Sequence, residues 1–205
     1  MLFNTDYQTI QGPSTGEYRE KGSVFIGYAF KVERETDIKN IIDCVKKEHP
    51  KANHHCYAFI IGPGQQAFRF SDDREPSGTA GRPILAAIKS ADLTNILVVV
   101  VRYFGGTLLG VQGLVRSYRA AAESALKSAK IIRILITDRF KITFPYSRIG
   151  EIEMVLTKVQ GKVLSRDMTE KCAWELEVPR EFSENFHKTI KDSHPFSEDC
   201  SIQRI

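Results

Sequence analysis

Hydrophobic and polar positions in the first half of the chain alternate between strand-like and helix-like spacing. Residues 23–32 and 96–101 are rich in β-branched and aromatic residues, and the second run is continuous, as in a strand covered on both faces. Residues 56–62 and 67–72, separated by Gly and Pro, predict a hairpin. Helical spacing predicts helices over residues 35–48 and 114–128, and Pro83 predicts the first turn of a helix that runs to about residue 90.

The second half of the chain has a different order of elements. Strand patterns cover residues 137–144, 162–167, 172–178 and 200–205, and helical patterns cover residues 146–159 and 180–193. The resulting order is βαββαβ, which is the split βαβ, ferredoxin-like arrangement. We therefore expect an α+β chain of two domains, residues 1–134 and 135–205, with the boundary near residues 130–138.

Composition limits the class of protein. The 205 residues are 42% hydrophobic and 10% aromatic, which is enough for a proper core. No apolar run reaches the roughly 18 residues of a membrane helix, and the start of the chain lacks the features of a signal peptide. These features predict a cytoplasmic protein with no membrane partner. The four cysteines form no CxxC pair, so reduced thiols are expected rather than a disulfide framework or a zinc ribbon.

Positive charge is concentrated in the first half. Residues 1–134 hold 18 Lys and Arg against 13 Asp and Glu, whereas residues 135–205 hold 11 against 12. This asymmetry favours a first half that faces a polyanion, since phosphate contacts require clustered basic side chains. The alternative is an ordinary solvated surface.

Three carboxylates, Asp72, Asp73 and Glu75, lie on the loop before the predicted helix at Pro83. Such a group could hold a divalent cation or act as a general acid or base. Acidic residues before a helix N-terminus also stabilise the helix dipole, and we favour this structural role for at least two of them. Asp73 or Glu75 could instead accept hydrogen bonds from Arg102 or Arg116, which would hold the neighbouring turn in place.

The turn that follows the carboxylates is rich in glycine and hydroxyl groups. Its backbone N–H groups could bind a phosphate or carboxylate, and the alternative is a tight loop whose glycines serve packing. The turn lacks the Walker lysine and the dinucleotide fingerprint, so no cofactor is predicted. The candidate residues of this turn are Ser77, Gly78, Thr79, Gly81 and Arg82.

A second candidate segment, RYFGG, follows the strand at residues 96–101. Arg102 with an aromatic ring could contact the phosphate of a nucleotide and stack on its base, and we slightly favour Tyr103 over Phe104 as the exposed ring. Gly105 and Gly106 form the turn. Arg116, on the next predicted helix, could complete an anion clamp with Arg102, although arginines on a helix face are most often solvated or paired with acids.

His54, His55 and Cys56 precede the first strand of the hairpin. A zinc site would need further ligands, for which Asp72 and Asp73 are the nearest candidates, and His54 and Cys56 share one face of a strand, as a Cys–His pair would require. We favour the simpler interpretation, a buried cysteine and a hydrogen-bonded histidine, and predict no metal site.

Four blocks of residues 21–122 resemble the bacterial YigZ/IMPACT family. They are KGSVFIG (21–27), the H-x-C-x-A pattern of His54, Cys56 and Ala58, SDDREPSGTAGRPIL (71–85) and VVVVRYFGGTLLGVQGLVRSY (98–118). The family pattern usually has glycine where this chain has Arg74 and Gln112. If those positions require a positive φ, the loop must adapt to the side chain.

The resemblance implies a first domain with the fold of ribosomal protein S5 domain 2 and a second, ferredoxin-like domain similar to elongation factor G domain V. It also implies a context of translation or RNA. We therefore expect a regulatory protein that binds RNA or the ribosome through a basic, Gly-rich surface.

Two alternatives to RNA or ribosome binding stay open. The first is a metal-dependent hydrolase or transferase that uses the acidic loop to act on a phosphorylated or peptide-like small molecule. The second is a protein partner that docks on the ferredoxin-like sheet. The sequence does not specify the oligomeric state.

Overall fold

The computed structural model describes residues 5–192 and 200–205, which divide into two compact units. The N-terminal unit comprises Tyr7–Ile134, and the C-terminal unit comprises Thr5, Asp6 and the described residues from Leu135 onward. The mixture of helices and strands confirms the predicted α+β class. The elements up to Leu135 are β1 (Asp6–Ile10), β2 (Ser14–Glu20), β3 (Ser23–Lys31), α1 (Glu35–Glu48), β4 (His54–Ile61), β5 (Ala67–Ser71), α2 (Gly81–Ser90), β6 (Ile96–Tyr103), α3 (Gly110–Lys127) and β7 (Ile131–Leu135).

The N-terminal unit is built on a five-stranded sheet in the order β2-β3-β6-β4-β5, in which every neighbouring pair is antiparallel. β6 lies at the centre of this sheet, and its residues Ile96–Arg102 are all buried. This confirms the interpretation of the continuous β-branched run as a strand covered on both faces. β5 is an edge strand, and β1 pairs with β7 in a separate two-stranded sheet.

Two hydrophobic cores cover the two faces of the five-stranded sheet. Alternate residues of β6 divide between them: Val98 and Val100 pack with α2 and α3, whereas Val99 and Val101 pack with α1. Residues i and i+2 of a strand share a face, so a strand that is apolar at every position can contribute to both cores. The loops at the ends of this buried sheet are thus held by well-packed elements.

The C-terminal unit has the ferredoxin-like order predicted from the sequence. Its four-stranded sheet has the strand order β11-β8-β10-β9, and one core of aromatic and aliphatic residues lies under the helices. The elements are β8 (Thr137–Phe144), a 3₁₀ turn (Tyr146–Arg148), α4 (Ile149–Lys158), β9 (Lys162–Met168), β10 (Cys172–Pro179), α5 (Arg180–Asp192) and β11 (Ser201–Arg204).

The observed boundaries differ from the predicted ones mainly at turns. α2 begins at Gly81, two residues before Pro83, and α3 begins at Gly110, so the LGVQG segment expected to be a turn includes the first turn of that helix. Strands β1, β2 and β7 were not predicted. β2 (STGEYRE) has too few apolar residues to show a strand pattern. The last residue of the helix predicted over 180–193 lies outside the described residues.

Within the described part of the chain, no helix is both long enough and apolar enough to cross a membrane.

Candidate functional site

The acidic loop connects β5 to α2, and its backbone turns sharply at two adjacent residues. Asp73 has a φ of 38° and Arg74 a φ of 70°, both in the left-handed region that glycine adopts most easily. Arg74 therefore occupies a backbone conformation for which glycine is better suited. Its side chain is exposed and lies 3.9 Å from the Asp73 carboxylate.

Asp72 holds the Gly-rich turn in place with its carboxylate. Its Oδ2 accepts a hydrogen bond from the N–H of Gly78 at 2.9 Å, and its Oδ1 accepts from Ala80 at 3.0 Å and from Gly81 at 2.8 Å. The N–H of Thr79 donates to the Pro76 carbonyl at 3.0 Å. The N–H groups expected to bind an external anion thus already donate within the protein, and Asp72 stabilises the N-terminus of α2.

Glu75 is buried and accepts hydrogen bonds from two side chains. Its Oε1 lies 2.6 Å from Nη1 of Arg102 and 2.8 Å from the hydroxyl of Tyr118, which is itself buried. His54 Nε2 lies 3.6 Å from the same oxygen. The sequence predicted, as one alternative, a hydrogen bond from Arg102 to Asp73 or Glu75, and Glu75 forms it. Tyr118 was not singled out as a further partner.

Arg102 lies between two aromatic rings at the end of β6. Its guanidinium carbon is 5.4 Å from the ring centre of Phe25 and 5.6 Å from that of Phe104. The side chain is only 7% exposed, and its Nε has no hydrogen-bond partner in the described part of the chain. The buried ion pair with Glu75 leaves Arg102 little surface with which to bind an external phosphate.

Asp73 contacts His54 and His55, but the three residues do not form a set of metal ligands. Its Oδ2 accepts a hydrogen bond from the N–H of His55 at 2.7 Å, and its carbonyl lies 2.8 Å from His54 Nδ1. The described residues contain no cluster of three or more His, Cys, Asp or Glu side chains arranged to hold a metal ion. The three acids of the loop therefore point to different partners.

Cys56 is a buried thiol with an internal partner. It donates to the carbonyl of Asp72 at 3.0 Å, and burial raises the pKa of the thiol far above its ordinary value. A nucleophilic cysteine requires a lowered pKa, so this environment is that of an inert thiol. Burial likewise raises the pKa of the neighbouring Tyr118.

The aromatic residues at the end of β6 differ in exposure. Tyr103 is partly buried, and its hydroxyl lies 2.8 Å from Nδ1 of His49, whose Nε2 lies 2.6 Å from the hydroxyl of Tyr28. Phe104 is 45% exposed. The exposed ring is therefore Phe104 rather than Tyr103, because Tyr103 is held in a hydrogen-bonded cluster with His49, which follows α1, and with Tyr28.

The two glycines after Phe104 have different roles. A Cβ on Gly105 would lie 1.9 Å from the backbone of Gly22, so only glycine permits the loops before β3 and after β6 to meet there. Gly106 has a φ of 83° and borders open space. Gly105 thus serves packing, and Gly106 supplies a turn on the surface.

Arg116 does not join Arg102. Its guanidinium forms a salt bridge with Glu20, which also accepts a hydrogen bond from Ser117 at 3.1 Å. The Arg116 guanidinium lowers the pKa of the Glu20 carboxyl. Arg119, which shares its helix face, pairs with Glu123 at 2.8 Å. These contacts match the alternative of a paired helix surface rather than an anion clamp.

Arg82 is the candidate arginine that faces solvent without a carboxylate partner in the described part of the chain. It follows Gly81 on α2, and its guanidinium carbon lies 5.9 Å from the ring centre of Phe70 on β5. Lys89, two helical turns further along, places its ammonium 4.6 Å from the ring centre of Phe68. Sequence reasoning did not single out Phe68, Phe70 or Lys89; for the two rings, the hairpin pattern fits an inward-facing side chain equally well.

A cavity of about 350 Å³ lies beside α2 and α3. It is lined by Ala87, Ser90, Ala91, Leu93, Glu123, Leu126, Lys127 and Ile131, none of which is a candidate site residue. The acidic loop therefore takes no part in this cavity.

Comparison with known proteins finds relatives over most of the chain. Residues 21–126 match the sequence profile described as the Impact N-terminal domain. The chain is 40% identical over 152 residues to an IMPACT family member from Haemophilus influenzae, covering 71% of this chain and 72% of that protein. It is 38% identical over 131 residues to the IMPACT family member YigZ from Escherichia coli, covering 63% and 64%.

A more distant relative and a solved structure extend the comparison. The Protein IMPACT homolog of Saccharomyces cerevisiae is 30% identical over 112 residues, covering 53% of this chain and 43% of that protein. A crystal structure described as that of a hypothetical protein has a TM-score of 0.72 and 30% sequence identity, covering 99% of this chain and 98% of the other.

Proposed function

Because the chain belongs to the IMPACT family, we propose that it is a translation-associated regulatory protein that binds RNA or the ribosome through exposed cations of its N-terminal unit. One observation carries the proposal. The carboxylates of the acidic loop are engaged inside the protein, whereas Arg82 and Lys89 on α2 lie over rings rather than beside a carboxylate within the described residues.

Exposed cations of this kind suit a phosphate backbone. A guanidinium or ammonium that is not neutralised by a carboxylate keeps its charge for an external anion, and releasing counterions from RNA then favours binding. The excess of basic residues in the first 134 positions supports this assignment to the N-terminal unit.

The contacts of the three acids give less support to the alternative of a metal-dependent hydrolase or transferase. Catalysis by a divalent cation needs several carboxylates that converge on one point, but Asp72, Asp73 and Glu75 each bind a different part of the protein. Anion binding by the Gly-rich turn would also require Asp72 to release its three N–H groups.

Protein docking on the ferredoxin-like sheet stays a prediction, and any such contact would be polar. On the sheet face opposite the core, Glu175 is paired with Lys141 and Glu177 with Arg139 across β10 and β8. Cross-strand pairs of opposite charge stabilise a solvated sheet rather than form an apolar patch.

The proposed function is tested by RNA affinity over a salt series. Fluorescence anisotropy with a labelled single-stranded RNA should give a linear fall of log K with log salt, and the Arg82→Ala/Lys89→Ala double variant should reduce the slope by about 1.4, at about 0.7 per cation. Arg119→Ala is the matched control, because Arg119 is paired with Glu123. Sedimentation with ribosomes tests the ribosome in the same variants.

Two results would argue against the proposal. The first is an absence of RNA and ribosome binding by the wild-type protein at low salt. The second is an equal change of the salt slope in the double variant and in the Arg119→Ala control. Such a result would indicate diffuse electrostatic attraction rather than binding at α2.

A further inference from the structure

Two phenylalanine rings stand exposed on the edge strand of the N-terminal sheet. Phe68 is 47% exposed and Phe70 is 38% exposed, although both lie on β5, whose partner residues on β4 are the buried Ile60 and Ala58. Paired residues on antiparallel strands point to the same face, so both rings lie on the face that carries α2. They extend the apolar surface of the core out to solvent.

A cation accompanies each ring. Lys89 lies over Phe68 and Arg82 over Phe70, and the two cations are seven residues apart on α2, which places them on one helix face. The two ring and cation pairs therefore repeat along the direction of β5. We refer to Phe68, Phe70, Arg82 and Lys89 as the α2–β5 platform.

The start of α2 fixes the position of the platform. A Cβ on Gly81 would lie 2.9 Å from the Phe70 ring and equally close to the backbone of Ser71, so glycine lets the helix pack directly against β5. Asp72 holds the N–H of the same Gly81 at 2.8 Å. The acidic loop thus holds α2 against β5, which keeps Arg82 beside Phe70.

The platform has the chemistry of a single-stranded nucleic acid site. Exposed aromatic rings stack on bases of any sequence, and neighbouring cations bind the phosphates between them. The rings are two residues apart on a strand, a separation of about 6.8 Å, so each can take one of two consecutive bases. Bases inside a duplex are already stacked on each other and cannot reach such rings.

We propose that the α2–β5 platform stacks two unpaired bases of RNA on Phe68 and Phe70, while Arg82 and Lys89 bind the adjoining phosphates. This inference rests on the proposed function, since it specifies single-stranded RNA as the ligand of the same cations. It adds that aromatic stacking, and not charge alone, determines the preference for single strands.

The experiment compares two RNA ligands and two ring variants of the full chain. Binding of a labelled adenine oligoribonucleotide and of a duplex RNA of equal length is measured by anisotropy at one low salt concentration. The Phe68→Leu/Phe70→Leu variant should bind the single strand about tenfold more weakly or worse, because base stacking is lost, and should bind the duplex unchanged. Phe104→Leu is the matched control, an exposed ring that also has an arginine beside it.

The outcomes separate this inference from the proposed function. Equal affinity of the wild-type protein and the Phe68→Leu/Phe70→Leu variant for the single strand would overturn the platform and leave cation-driven RNA binding intact. An equal loss of single-strand affinity in the Phe104→Leu control would also overturn the platform. If the Phe68→Leu/Phe70→Leu variant differed from the wild-type protein in its mass by sedimentation but not in its RNA affinity, the rings would instead belong to a contact between copies of the chain. Absence of RNA binding by the wild-type protein would remove the proposed function as well.

Discussion

Arg74 and Gln112 stand at the two positions where the sequence resemblance implies glycine, but their backbone environments are opposite. Arg74 has a φ of 70°, which costs an L-residue about 1–2 kcal/mol, whereas Gln112 lies in the regular helix α3. Glycine also raises the conformational entropy of the unfolded chain, which lowers the free energy of unfolding by about 0.5–1 kcal/mol. The same substitution should therefore have opposite effects on stability at the two positions.

We expect Arg74→Gly to raise the free energy of unfolding by about 0.5–1 kcal/mol, because relief of the left-handed backbone exceeds the added entropy. Gln112→Gly, its matched control, should lower the free energy by about 0.5–1 kcal/mol, since glycine is a poor helix former. Urea unfolding followed by circular dichroism measures both changes. A shift of the same sign in the two variants would contradict this account of the loop.

At the scale of elements, Glu75 connects the acidic loop to the ends of β6 and α3. Glu75→Ala would leave the Arg102 guanidinium buried without its carboxylate and the Tyr118 hydroxyl without its acceptor. Breaking one partner of a buried pair costs about 3–5 kcal/mol, and we expect a loss of that size in urea unfolding. Glu123→Ala, which breaks the exposed pair with Arg119, should change stability by less than about 1 kcal/mol. Comparable losses of stability in both variants would show that the cost of Glu75→Ala does not arise from the burial of its ion pair.

The sequence predicts the elements far better than the contacts between them. The bounds predicted for α1 and β8 agree with the structure, because their apolar positions repeat with a clear period. Asp72 has the structural role at the N-terminus of α2 that the sequence favours for at least two of the acids, but its three N–H partners could not be predicted, since an aspartate that binds its own loop has the same sequence as one that binds a metal. Phe68 and Phe70 were missed for a similar reason: alternation predicts a shared face, but it cannot tell a ring in the core from one at an open sheet edge.

On the scale of the whole molecule, the two units have separate hydrophobic cores and net charges of opposite sign. The sheet of Tyr7–Ile134 is covered on both faces by its own helices, and 128 residues are ample for an independent domain. All four residues of the α2–β5 platform belong to this unit. Asp72, which holds the start of α2 in the platform, also belongs to this unit, so RNA binding should need nothing from the C-terminal unit.

We therefore predict that a fragment of residues 7–134 folds on its own and binds single-stranded RNA with the same salt slope as the full chain, because the slope counts phosphate contacts and these contacts lie within the fragment. A fragment of residues 135–205, whose acids outnumber its bases by one, should not bind RNA at low salt. Cooperative thermal unfolding establishes that each fragment is folded, and anisotropy then gives the two slopes. If a folded fragment of residues 7–134 lost the affinity, the C-terminal unit would have to supply phosphate contacts, and the α2–β5 platform would be only part of the RNA site.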